Sequence, residues 1–417
     1  MLEETMHSLL DEAIHRILAN AVDHKLRAVG LGERPDLRDA LLAHVRSDTP
    51  GPLHFEDEGP DRTVDLTFSD AEMAAMEVQM NRVIEGLPEI IQDAAEAGAE
   101  PLYDDLWRRW PQERRHQTKD RRRFVRNLSN RWIEMFDGLS MLLTVGREHG
   151  QAVTEAANAE PTALTHVCAH LFARILQVAS ECVTLLDQGY ADGALARWRT
   201  LHEASVLLVL MNEFGLPLAE RYLAHQAVDA WQEQNASRHV PQNPLDAAAK
   251  PLGPAESAEL LDAYNAAIAL YGPSFKKPYG WGNGLVPKAD GSTNALGFAD
   301  LAAAAGRAAL AEEYKFASYN VHPTARSFDW RLGLMGRDGL LIGASNAGLE
   351  LPGARVAESL TLAIAFFTHN ELTFDCIMVT KIAQRLRDRT IKAALKACDQ
   401  LRRDEDALNR IEDGDDR

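Results

Sequence analysis

Apolar residues return every three or four positions along most of this chain, a period that suits one kind of element, the amphipathic helix. The pattern predicts helices over residues 5–29, 36–47, 131–150, 161–188, 191–212, 217–236, 254–271 and 297–321. A last long helix should start at Pro352 and run toward residue 400. Ser69 followed by Glu72 has capping-box spacing and predicts a further helix from about Asp70 to Glu85. Gly150 should stop the 131–150 helix, and Gly215 with Pro217 the 191–212 helix. The short turn QGYADG, residues 188–193, implies an antiparallel helical hairpin. Proline, glycine and acids fill residues 47–70, a loop in which VDLTF, residues 64–68, could form a short strand. Residues 237–295 read as irregular apart from the 254–271 helix. The expected fold is therefore an all-α helical bundle with a long antiparallel hairpin and an irregular Pro/Gly-rich loop insertion. Its expected organisation is a helical region over 1–100, a bundle over 101–400 and an acidic, disordered tail over 401–417, where the sequence ends RRDEDALNRIEDGDDR.

Hydrophobic residues make up 46% of the chain, enough for a sizeable core. A net charge of −18 argues against a surface that binds nucleic acid or anionic membrane throughout. Cys168, Cys182, Cys376 and Cys398 show no short paired spacing, so neither a zinc cluster nor a disulfide framework is expected, and a reducing cytoplasm fits. Acids precede any apolar run at the amino terminus, unlike a signal peptide. The most apolar stretch, ASVLLVLM at 204–211, falls well short of the roughly 20 residues that a membrane span needs. A cytoplasmic protein with no membrane partner is the expectation.

One segment reverses the overall charge. Residues 106–132 hold ten Lys or Arg against two acids. As a nucleic-acid patch it would use Arg121, Arg122, Arg123 and Arg126, with Trp107, Trp110 and Trp132 for stacking. The plainer reading is a basic helix face that meets the protein's own acidic surface, interrupted at Pro111. Metal and nucleophile motifs are absent. His166 and His170 share a helix face, but no carboxylate on the neighbouring turns completes a ligand set, and no metal or cofactor is expected. Gly280, Gly282 and Gly284 lack the G-K-[ST] of a phosphate loop, so YGPSFKKPYGWGNG reads as a packed loop anchored by Tyr279 and Trp281.

Two helices carry polar residues at matching spacing. Arg199 and Glu203 lie four residues apart and share a face in a largely apolar helix, so each needs the other or a further polar partner. Tyr314, Ser318 and His322 recur every four residues and form a polar stripe. Pro323 should end that helix at His322, beside the carboxyl end of its dipole, which favours a cationic imidazole. On position alone His322 is more simply a cap of free carbonyls than a catalyst.

Arg199-Thr200-Leu201-His202-Glu203, Tyr279-Gly280-Trp281 and Tyr314-x-x-x-Ser318-x-x-Val321-His322-Pro323 stand in the order and spacing of a widespread, mostly bacterial family of unknown function, which this chain resembles over roughly residues 120–380. The resemblance implies an all-α bundle similar in style to abortive-infection proteins and to HEPN domains, and no established activity. HEPN ribonucleases are metal-independent, and each site is built by two protomers. Their Arg stabilises phosphorane charge and their His moves the proton of the RNA 2′-hydroxyl. Arg38–His44, Arg109–His116 and Arg197–His202 have the required spacing here. Arg38 lies outside the resemblance, and Trp198 replaces the usual polar residue after Arg197.

Three functions are thus open. The first is a non-catalytic protein whose Arg199, Glu203, Ser318 and His322, with Tyr314, tie helices together or hold a ligand. The second is a HEPN-like endoribonuclease acting in phage defence on RNA, as a possible homodimer, through Arg199 or Arg197 with His322 or His202. The third is a nucleic-acid-binding regulator working through residues 106–132.

Overall fold

The computed structural model describes the chain except residues 1, 48–51, 55–62, 64–66, 158–160, 238–251, 289, 293, 323–324, 328–330, 336–338, 369–372 and 416–417. Among the described residues it is all α-helix with short 3-10 turns and no strand. The strand considered at 64–68 falls mostly outside the described residues. The chain divides into two compact units, residues 1–118 and 119–417.

The first unit opens with α1 (Leu2–Ala28) and α2 (Pro35–Arg46), with Pro35 at the start of α2, where a missing N–H costs nothing. Val22 and Leu26 of α1 bury against Leu42 of α2. Arg38 pairs with Asp23 at 2.9 Å. Then α3 (Asp70–Ala157) begins at the expected capping box: the Ser69 N–H donates to Glu72, and Lys25 pairs with the same carboxylate at 2.7 Å.

α3 overturns three expected boundaries. It does not end near Glu85, it is not interrupted at Pro111, and it runs past Gly150. Pro88, Pro101 and Pro111 all lie inside it, in a stretch of mostly exposed side chains where water can take the carbonyls that proline frees. Gly150 persists in the helix because a Cβ there would crowd the Phe172 ring, so glycine serves close packing rather than termination.

The second unit holds the main core. α4 (Ala163–Asp187) and α5 (Ala191–Ala224) form the expected hairpin, with Gly189 at φ 78° in the turn. Thr162 and Thr165 cap α4 reciprocally. α5 kinks at Gly215 (φ 64°), two residues before Pro217. α6 (Gln226–Ser237) and α7 (Pro254–Tyr271) follow. Leu128, Trp132 and Leu139 of α3 join Ile175, Val178 and Leu186 of α4 and Leu195, Trp198 and Leu201 of α5 in one buried cluster. α4 is long and apolar enough by composition to cross a membrane, which the short 204–211 stretch did not suggest; its Val167, Phe172, Ile175 and Val178 are buried in this core.

Two predicted helices are each split. The expected 297–321 helix is α8 (Phe298–Ala304) and α9 (Ala311–Tyr319). Gly306 at φ 69° lets the Arg307 N–H reach back to the Ala302 carbonyl, a glycine helix stop. The expected 352–400 helix is α10 (Glu350–Phe366) and α11 (Phe374–Asp415), the second started by the Thr373 hydroxyl accepting from the Cys376 N–H. α11 continues as helix through the acidic tail to Asp415, supported by Gln400–Asp404 and Arg403–Gln400 bonds one turn apart.

Candidate functional site

Arg199 and Glu203 stand one turn apart on α5, with Arg199 Nε 3.2 Å from Glu203 Oε1. The contact is an ion pair only: the Nε–H finds no aligned acceptor. Across from them, α9 presents Tyr314, whose hydroxyl donates to the same Glu203 oxygen. The Arg199 guanidinium carbon lies 4.8 Å from the centre of the Tyr314 ring. Phe298 of α8 stacks on the other partner, Tyr314, with centroids 4.5 Å apart. The three groups therefore contact one another by ion pair, hydrogen bond and ring contact within a half-buried junction of α5, α8 and α9, with the Arg199 Nε–H left without an acceptor.

Electrostatics follow from this closure. Burial, then the bond to Glu203, pushes the Tyr314 hydroxyl well above an ordinary phenol, so it stays a donor. Burial alone would lower the Arg199 pKa, but the Tyr314 and Glu203 oxygens raise it on balance. Burial raises the Tyr279 pKa too, the Glu203 charge adds to that and the Arg199 charge opposes it.

His202, between the two charged residues in sequence, faces inward. It is 1% exposed, stacks on Trp198 at 5.1 Å and meets the edge of Phe298 at 5.7 Å. Burial, reinforced by the charges of Arg307 and Arg355 and opposed by Glu313, pushes its pKa down to about 4. Its Nδ1 and the Nε of Arg307 are buried with no hydrogen-bond partner. Behind it, Trp198 Nε1 donates to Ser359 Oγ of α10 at 3.0 Å. Arg355 of α10 pairs with Glu313 of α9 at 2.6 Å and with Glu358 at 2.7 Å. Sequence reasoning missed Arg355, Glu313, Arg307 and Ser359, since only the fold brings α10 to this junction.

The remaining expected residues go elsewhere. Ser318 turns its hydroxyl to the Tyr314 carbonyl of its own helix, at 2.9 Å. His322 is exposed, its backbone N–H reaches the Ser318 carbonyl at 3.0 Å, and among the described residues no side-chain bond or ion pair joins it to Arg199 or Glu203. Pro323 lies outside the described residues. Arg197 points to α4, where it pairs with Glu181 and pulls that carboxyl's pKa down. Arg197 and His202 thus serve different neighbours. Arg38 is engaged by Asp23 and Arg109 by Asp105.

In the basic segment, Arg121 donates to the Gln188 carbonyl at 2.7 Å and to its side chain at 2.8 Å, capping the end of α4. Trp132 is fully buried and donates to Asn346 Oδ1 at 2.9 Å, so it is no stacking platform. Arg122, Arg123 and Arg126 are exposed, and Arg131 meets Asp404 at 2.6 Å, a contact between basic helix and acidic tail. His170 Nδ1 bonds the His166 carbonyl at 2.8 Å.

The glycine loop is packed. Arg221 of α5 donates to the Trp281 and Asn283 carbonyls at 2.8 and 2.7 Å, and His225 lies 2.9 Å from the Lys277 carbonyl. A Cβ on Gly280 would overlap the Phe275 backbone, which explains the glycine without a phosphate.

Neither a curated protein nor a solved structure matches the chain. The similarity to a known family is narrower than residues 120–380 and brings no HEPN or abortive-infection assignment. It covers α4 to α9, and so Arg199, Glu203 and Tyr314 but not Arg355: residues 165–339 match a family of unknown function, DUF5677.

Proposed function

We propose that this is a non-catalytic helical protein in which Arg199, Glu203 and Tyr314 tie α5 to α9, so that the polar cluster holds helices rather than a reacting substrate. The observation that carries this reading is the closure of the three groups on one another. A HEPN-type ribonuclease needs an arginine free to meet phosphate charge and a histidine within reach of it. Arg199 and Arg197 are both engaged by carboxylates, and His322 bonds to neither. A regulator that grips nucleic acid through residues 106–132 is less favoured, because Arg121 and Trp132 are spent within the fold.

A second reading keeps the same place but adds a ligand. Arg307 has no ion-pair partner among the described residues, and its buried Nε and the buried His202 Nδ1 both lack hydrogen bonds. A small anion held by the Arg307 guanidinium would give its buried Nε–H an acceptor.

Glu203→Gln and Tyr314→Phe should each lower unfolding free energy by about 1–3 kcal/mol, with a coupling above roughly 0.5 kcal/mol in the double variant. RNA incubated with wild type should stay intact. RNA cleavage by wild type that disappears in Arg199→Gln or His322→Ala would sink the non-catalytic reading. Stabilisation by inorganic phosphate that is lost in Arg307→Gln would move the conclusion to the ligand.

A further inference from the structure

Helix α3 carries an apolar face that nothing in its own unit covers. Leu102, Tyr103, Leu106, Trp107 and Trp110 are between 44% and 70% exposed. At about 100° per residue they span about 140° of one side of the helix. The other side holds Asp105, which pairs with Arg108 at 3.3 Å and Arg109 at 2.7 Å. From residue 95 to residue 118 every side chain is exposed except that of Asp105. A helix held by no packed face depends on local propensity, and Pro101 and Pro111 oppose it by about 3 kcal/mol each. Scattered exposed apolar residues need no explanation, but five contiguous large ones mark a contact surface.

The charge pattern says what the surface contacts. Residues 70–105 hold ten acids and one arginine, whereas residues 106–132 hold ten Lys or Arg and two acids. The sign changes between Asp105 and Leu106, and Leu106 is the middle of the apolar face. Such a helix is complementary to itself when turned end for end about Leu106. Over the exposed stretch, Glu96, Glu100, Asp104 and Asp105 then lie along the half that carries Arg108, Arg109, Arg114 and Arg115, and apolar face meets apolar face; farther on, the same helix buries Leu128 and Trp132 in its own core. Parallel pairing would set acid against acid. A lipid headgroup or a nucleic-acid phosphate would meet Asp104, Asp105 and the acidic run behind them, which repel it.

We propose that α3 is a self-association element: two copies of this chain pair antiparallel through it, about a two-fold axis at Leu106. The contact is isologous and closes on itself. Leu106 meets the partner's Leu106, Leu102 meets the partner's Trp110, and Asp104 falls opposite the partner's Arg108. This inference uses none of the groups in the polar cluster, so its failure would leave the reading of that cluster untouched.

Sedimentation of the full chain over an about hundred-fold concentration range should show a monomer–dimer equilibrium. Leu106→Lys should raise the dissociation constant by about ten-fold or more with unchanged circular dichroism. Leu106 is exposed, so the variant should fold. Orientation is read by cross-linking: Leu102→Cys mixed with Trp110→Cys should couple across copies more than either does alone. Wild type is the control, because Cys376 is the one native cysteine that is not buried. A monomer at every concentration overturns the proposal, as does coupling of each cysteine variant mainly to itself. So does a monomer that binds anionic vesicles or single-stranded RNA through Trp107.

Discussion

Trp198 and Trp107 show how differently two parts of this chain treat the same side chain. Trp198 is fully buried on α5, its ring covered by His202 and its N–H bound by Ser359. Trp107 is 62% exposed on α3, with Tyr103 edge-on at 6.3 Å as its aromatic neighbour. At the α5–α9 junction polar groups are closed on one another and the apolar ones are hidden. On the exposed part of α3 the apolar groups are open and the charges are sorted by sign along the helix. Closure of the first kind is what a fold does for itself. Openness of the second kind leaves a surface that the proposed pairing of two copies would cover.

The sharpest way to break this contrast is to truncate both rings. Trp198→Ala should cost about 3–5 kcal/mol of stability, since a large buried ring leaves a cavity and an unpaired Ser359 hydroxyl. Trp107→Ala should change stability by less than about 0.5 kcal/mol when measured at concentrations too dilute for association. Chemical denaturation of both variants decides it. Equal losses would mean that α3 is packed within its own chain.

Acid should weaken the closed region next. His202 has a folded pKa of about 4, below the ordinary imidazole value. The unfolded chain therefore takes up a proton between about pH 6.5 and 4 that the folded chain refuses. Stability from this residue is fully present above pH 6.5 and is lost as pH falls through 4, by about 3 kcal/mol in all. His149, also lowered by burial, acts in the same direction. His202→Gln should flatten the fall in stability between pH 6.5 and 4 but leave the part due to His149. An unchanged slope would show that water reaches the His202 ring.

Much of the fold was legible because period and caps are local signals. The α4–α5 hairpin, the Ser69–Glu72 cap and the Arg199–Glu203 pair all rest on residues within one or two turns of each other. Tyr314 was legible as a polar residue on a helix, though its aim at Glu203 spans 111 positions of sequence and comes from packing. What failed had a physical reason too. Pro111 read as a helix break, but proline in an exposed helix removes one bond per residue, and water can supply its replacement; Pro88 and Pro101 lie inside the same helix. Gly306 and Thr373 did end and start helices, but inside stretches whose apolar period runs on across them. Of the polar stripe on α9, Ser318 turned back to its own backbone, as short hydroxyl side chains often do in helices.

The smallest test compares neighbours on the basic segment, where the closed and open modes lie one residue apart. Arg121 caps the end of α4 through Gln188 and rests on the Tyr190 ring at 5.2 Å, whereas Arg122 is exposed. Arg121→Ala should therefore lower stability by about 1 kcal/mol, the worth of a part-buried charged hydrogen bond less what water restores. Arg122→Ala should leave stability within about 0.5 kcal/mol. If instead the two variants behave alike, the basic segment acts only through its net charge, and the cap on α4 contributes nothing that a neighbouring arginine could not.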